Sequence, residues 1–201
     1  MSEARSLLFT AHDGPSSGPP FLVLHERYGS LDSARGLGQF LGANAFRVAV
    51  RSARLQTTGG DGETYGFYWY VGPEDEPELS TLGDGLYQLE LLLLESFRRC
   101  GHKKVGLLGS GEGGCVALLM GLARPELISI VVAIDAQLPI NFTSIPIDIP
   151  PLDNLPILLV QRLNEMSSET KNSLTRLGAK VTMLRGEVAA EHVSAAARWE
   201  G

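Results

Sequence analysis

Cysteine is scarce in this chain: Cys100 and Cys115 are the only two. Two thiols cannot build the disulfide framework of a small secreted domain. One falls at a predicted helix end and the other inside a predicted core helix, so both read as reduced structural thiols of a cytoplasmic protein. Long apolar runs are missing too. None approaches the ~20 residues of a membrane span, and the N-terminal MSEARSLLF lacks the apolar region of a signal peptide. Positive charge is in deficit, with 17 Lys and Arg against 23 Asp and Glu for a net −6, which argues against nucleic acid or an anionic membrane as partner. Internal repeats and low-complexity tracts are absent, and no metal or cofactor is expected. What remains is 201 residues, 44% hydrophobic and 20% charged, enough for one core and one domain spanning 1–201.

Short β-branched or leucine-rich runs alternate with helical spacings. Ser6 to Thr10 reads as a first edge strand, and His12 to Pro20 as a turn-rich connector. Phe21 to His25 (FLVLH) reads as a strand buried on both faces. A helix over Leu31 to Gly42 and a strand over Ala45 to Val50 follow. Arg51 to Gly66 reads as a long loop with Thr57 to Gly62 at its tip. Phe67 to Val71 (FYWYV) is open to two readings, a strand packed into the core or an aromatic roof over a pocket. Leu82 to Cys100 is a long helix. Ile128 to Ile134 is a strand, Asp135 to Leu155 a proline-rich excursion, and Ile157 to Gln161 another strand. A helix over Glu165 to Leu177 ends at Gly178. A last strand over Ala179 to Leu184 and a helix over Ala189 to Trp199 complete an α/β chain. Its mostly parallel, doubly wound sheet carries helices on both faces, and its ligand site belongs at the carboxyl ends of the strands.

The stretch Lys103 to Pro125, KKVGLLGSGEGGCVALLMGLARP, is the centre of the functional question. Lys104 to Leu108 reads as a strand, Gly109 to Gly114 as a tight turn, and Cys115 to Ala123 as a buried helix. Two patterns compete for the turn. Gly109-x-Gly111-x-x-Gly114 fits the dinucleotide fingerprint, with Asp135 at the spacing of a ribose-binding carboxylate. The outline G-x-S-x-G, a nucleophile elbow, is also there, with Gly109 and Gly113 flanking and Gly111 where the serine stands. A glycine suits the positive φ of an elbow apex. A simple anion on the Gly113 and Gly114 N–H groups is a further reading.

The order of elements, with FLVLHERYGS, AFRVAVRSAR, YGFYWY, LLGSGEGGCVALLMGLARPE, VVAIDAQLP, LPILLV and LGAKVTML, resembles the carboxylesterase/phospholipase group of α/β-hydrolases over nearly the whole chain. The resemblance implies that fold, a pocket at the elbow and a homodimer. It implies catalysis by a serine, a histidine and an aspartate beside an oxyanion hole, and here the corresponding positions are altered. Gly111 holds the nucleophile position. The oxyanion loop, His-Gly-x-Gly in the group, reads His25-Glu26-Arg27-Tyr28, so Glu26 and Tyr28 crowd it and Arg27 is the neighbour that can neutralise Glu26. Asn164 or Glu165 lies near the acid's place. The histidine position falls near Gly186, with His192 six residues beyond.

The expectation is therefore a hydrolase fold without an intact triad: a binder of a small hydrophobic or ester-like ligand, or a regulatory subunit. Its pocket groups would be His25, Glu26, Tyr28, Trp69, Ser110, Gly111, Glu112 and Asp135. The alternatives are an esterase using relocated residues, among them His25, Glu26, Glu112, Ser110, Cys115 or His192, and a dinucleotide binder.

Overall fold

A computed structural model describes residues 5–58, 62–162 and 168–197. In chain order the elements are β1 (Phe9–Asp13), β2 (Pro20–Leu24), α1 (Leu31–Leu37), β3 (Phe46–Arg51), β4 (Arg54–Thr57), β5 (Thr64–Tyr68), α2 (Leu79–Arg99), β6 (Val105–Ser110), α3 (Glu112–Ala123), β7 (Ile128–Ile134), β8 (Pro156–Gln161), α4 (Ser168–Arg176), β9 (Lys180–Arg185) and α5 (Ala190–Ala197). Seven strands form one sheet in the order β1-β3-β2-β6-β7-β8-β9. Only β1 runs antiparallel; every other pairing in that sheet is parallel. Strands β2, β6, β7 and β8 are almost wholly buried, as continuous apolar runs covered on both faces should be. One core cluster lies under α2 and α3, the other under α1 and α5.

The chain moves outward from β2 to β3, then crosses back to place β6 on the other side of β2. Crevices of open α/β sheets form at such a reversal, outside the carboxyl ends of the strands. Those ends carry His25, Ser110, Asp135 and Arg162 in neighbouring strands.

Several sequence expectations shift. The first strand is Phe9–Asp13, further along than the apolar residues suggest. Its polar end is held by β3, where Arg47 pairs with Asp13 at 3.1 Å. Helix α2 starts at Leu79, earlier than its leucines imply, because the Glu78 carboxylate accepts from the Ser80 and Thr81 N–H groups. Helix α1 stops at Leu37 and tightens into a 3-10 turn over 38–41. The stretch read as a long loop is the β4–β5 hairpin, with Leu55 opposite Phe67. The expected helix start at Glu165 lies outside the described residues, as does part of the hairpin tip.

Candidate functional site

The six-residue turn expected between β6 and α3 is one residue long. Strand β6 runs to Ser110, α3 begins at Glu112, and Gly111 alone joins them, at φ +51 and ψ −121. Its N–H donates to the Ile134 carbonyl at 2.9 Å and its carbonyl accepts from Cys115 N–H at 2.9 Å. The fingerprint glycines owe their places to this crossing. A Cβ at Gly109 would lie 2.3 Å from the Gly113 carbonyl oxygen, and one at Gly114 2.5 Å from the Ala136 Cβ. A Cβ at Gly113 would lie 2.3 Å from the His25 carbonyl oxygen. Close approach of strand, helix and β2 thus accounts for them without a pyrophosphate or a smaller anion. At Gly111 a Cβ would meet only Glu26 Cβ, at 3.7 Å. The apex is open, and only its backbone conformation favours glycine.

Below the apex lies a buried polar layer. The Glu112 carboxyl, fully enclosed, accepts from Trp69 N–H at 2.9 Å through Oε2 and faces Arg27 at 2.5 Å through Oε1. Burial pushes its pKa up to about 7, against the opposing effects of the Trp69 N–H and Arg27. Arg27, expected to neutralise Glu26, turns instead to Glu112, with Glu74 at 3.6 Å and the Gly72 carbonyl at 2.8 Å. The Trp69 indole donates to the His25 carbonyl at 2.9 Å, and its ring stacks on His25 at 5.2 Å. Trp69 and Tyr70 belong to the core, so of the two readings of FYWYV these residues take the packed one. Cys115 is buried, and desolvation raises its thiol to about 12, which leaves it protonated and unreactive at neutral pH.

Above the layer, Tyr28 swings outward. Its φ is +60, a conformation in which glycine would sit without strain. Its ring meets Tyr65 edge-on at 4.7 Å. Glu26, therefore, is the side chain of the 25–28 loop that stands over the apex. The strand ends beyond β6 hold a second constellation. Asp135, at φ +47, accepts from the Arg162 N–H at 2.6 Å and from its Nε at 3.0 Å. Arg162 also reaches the Ser110 hydroxyl, Nη2 to Oγ, at 3.2 Å. Among the described residues Ser110 therefore faces an arginine and not a base. Asp135, the ribose-binding candidate, is engaged by the same guanidinium. Arg162 was not among the expected site residues, although a charge directly after the apolar strand LPILLVQ is a legible signal.

The histidines decide what the elbow can do. His25 Nε2 accepts from Ser52 N–H at 3.1 Å, so Nδ1 carries the hydrogen and donates it to the Glu26 carbonyl at 2.6 Å. Both nitrogens are spent, and burial holds the ring below its ordinary 6.5. His192 lies on the first turn of α5, and Ala190, two residues before it, lines with Gly42, Lys104 and Ser129 a cavity at the end of the sheet where strands begin. Its Nδ1 accepts from Ala189 N–H at 3.0 Å, the back-bond of a helix cap. His12 stacks on Phe46, and His102 packs on Phe97 just ahead of β6, again at the starting end. Gly186, near the expected histidine position, has φ +95 and donates to Gln161. Asn164 and Glu165 lie outside the described residues. Among the described residues no group of three or more His, Cys, Asp or Glu is placed to hold a metal, and no helix is long and apolar enough to cross a membrane.

His192→Ala is expected to lower stability by about 1 kcal/mol through loss of this cap and to leave events at the elbow unchanged. Thermal melts compared with ligand binding at the elbow would check this; a change in binding would return His192 to the site.

Comparison with known proteins finds neither a matching protein family nor a matching characterised sequence. Solved structures do match. A Bacillus cereus carboxylesterase superposes with a TM-score of 0.71 at 17% identity, over 96% of this chain and 93% of that one. A Mesorhizobium loti carboxylesterase gives 0.66 at 18%, over 92% and 89%. A phospholipase/carboxylesterase from Dyadobacter fermentans gives 0.69 at 13%, over 99% and 98%. At these identities the likeness establishes the fold, which is that of the α/β-hydrolases.

Proposed function

We propose that this chain is a hydrolase-fold protein that does not run serine-hydrolase chemistry and instead binds a small hydrophobic, ester- or carboxylate-like ligand at the carboxyl ends of its strands. The observation that carries the reading is the elbow itself: its strained turn is built in full, yet Gly111 puts no nucleophile at its apex. Among the described residues no histidine is placed to act as the base either. A triad histidine needs Nδ1–H held by a carboxylate and a free lone pair on Nε2. His25 has neither, because Ser52 N–H occupies Nε2 and a backbone carbonyl holds Nδ1–H. Arg162, braced by Asp135 and in reach of Ser110, supplies the positive charge that would hold an ester carbonyl or a carboxylate.

Of the carboxylates the relocated-esterase alternative could use as base, Glu26 stands over the apex and is judged by the hydrolysis test below, whereas Glu112 is ruled out by its surroundings. The Glu112 carboxyl is enclosed, accepts from the Trp69 N–H and is ion-paired with Arg27, out of reach of a substrate.

The test is hydrolysis of p-nitrophenyl acetate by the protein and by Gly111→Ser, with a thermal-shift screen of short esters and carboxylic acids on both. Neither protein is expected to turn the ester over. Gly111→Ser should fold, at a cost of roughly 1 kcal/mol for a side chain at positive φ. A ligand found in the screen should lose its stabilising effect in Arg162→Ala. Turnover by Gly111→Ser would reveal a surviving base, and turnover by the unaltered chain would sink the proposal.

A further inference from the structure

At the opposite end of the sheet, where β2, β3, β6 and β7 begin, lies a cavity of about 730 Å3. That size falls within the range of about 300–1,000 Å3 typical of small-molecule sites. Phe21, Leu41 and Val193 form its apolar wall, all three from the core cluster under α1 and α5. Its mouth carries Lys103 and Lys104, two of only four lysines in the chain. Neither is ion-paired among the described residues; the Lys103 Nζ reaches only the Ser17 carbonyl, at 3.5 Å. Ser129 borders the same cavity and, with Lys104, a neighbouring one of about 510 Å3. Its hydroxyl oxygen is enclosed and has no hydrogen-bond partner among the described residues, an arrangement that costs free energy unless a ligand completes it. Acidic side chains, Glu126 and Asp153, line only the smaller cavity, and Glu126 already pairs with Arg124 at 2.6 Å. An acidic chain has therefore set its adjacent lysines, an orphaned hydroxyl and an apolar wall around one space.

We propose that this cavity is a second binding site, for an anionic amphiphile such as a medium-chain carboxylate, its chain against Phe21, Leu41 and Val193 and its head group on Lys103, Lys104 and the Ser129 hydroxyl. The site is remote from the elbow and independent of what the elbow does. Desolvation of the chain supplies affinity, and the lysines select the charge of the head group.

Calorimetric titration of the full chain with decanoate tests this. Saturable binding is expected, about tenfold weaker in Lys103→Gln/Lys104→Gln, where two charge contacts are removed. The lysine-dependent component of that binding should persist in Arg162→Ala, which removes only what the elbow takes up, and should be weaker for decanol than for decanoate. Ser129→Ala should weaken binding without lowering the melting temperature of the free protein, since it deletes an unpaired hydroxyl; a core role for Ser129 would lower it. Absence of binding would overturn the proposal. So would binding indifferent to the lysines, binding abolished by Arg162→Ala, or decanol binding as tightly as decanoate.

Discussion

Glu112→Ala is expected to lower stability by about 3 kcal/mol, because it leaves the buried Trp69 N–H unpaired, strips Arg27 of its nearest carboxylate and opens a void at the start of α3. Glu112→Gln should behave differently, and pH separates the two. The folded protein holds the Glu112 proton up to about 7, against an ordinary 4.5. The folded state therefore binds more protons than the unfolded chain between those values. Glu112's contribution is fully present below about 4.5 and is lost as pH rises through about 7, a change on the order of 3 kcal/mol. Glutamine mimics the protonated form at every pH. Glu112→Gln should thus match the unaltered protein at pH 4.5 and exceed it in stability at pH 8. His25 acts with the opposite sign. Its folded pKa is depressed below 6.5 by burial, so its contribution is present above 6.5 and lost on acidification. In Glu112→Gln that acid loss is no longer offset, and stability should fall more steeply below pH 6.5 than in the unaltered chain. Denaturant melts at pH 5, 6.5 and 8 read all of this. A Gln variant weaker than the unaltered protein at pH 8 would mean that the ion pair with Arg27 outweighs desolvation.

That buried layer was only half legible in the sequence. The parallel strands announce themselves, because a strand covered on both faces must be apolar throughout, as in FLVLH and ISIVVAI. The β4–β5 hairpin does not. Its β4 residues are mostly exposed, so no alternation marks them, and contacts that tie the hairpin down, among them Phe67 N–H to the Gly29 carbonyl and Arg54 to Asp84, come from far off in sequence. The site residues divide in the same way. The strand–turn–helix pattern put Ser110, Gly111 and Glu112 between a strand and a helix, and they stand at the β6–α3 junction, Glu112 as the first residue of the helix. It could not tell that Glu112 points into the core, because that depends on Trp69 offering an N–H from another element. Nor could it pick Arg162 as the partner of Asp135, since the two come from strands that only the sheet makes neighbours. Arg27 shows the limit plainly: local sequence offers Glu26 as its partner, and the fold supplies Glu112.

Gly113→Ala is expected to be the most damaging single-methyl change in the elbow, and its sign is the test. Gly113 is a helical residue, and in an unhindered helix alanine is better than glycine by about 1 kcal/mol. Here the added Cβ would stand 2.3 Å from the His25 carbonyl oxygen and 2.7 Å from that of Leu24. Both are backbone atoms at the end of a central strand, so they cannot rotate away. Helix α3 would have to back off from β2, opening the core where Cys115 and Ala117 pack. The overpacking penalty, about 3 kcal/mol at such a contact, exceeds the propensity gain, and a net loss of about 2 kcal/mol or more should follow. Gly109→Ala should rank beside it, for its Cβ meets the Gly113 carbonyl oxygen at 2.3 Å. Gly111→Ala should cost only roughly 1 kcal/mol, from φ alone, since its Cβ has room. Chemical denaturation of the three variants gives the order directly. If Gly113→Ala and Gly109→Ala both proved neutral or stabilising, the glycines, those of the fingerprint included, would not be explained by the protein's own backbone. A ligand that needs their open faces, as the dinucleotide fingerprint supposes, would then return as the better account of this turn.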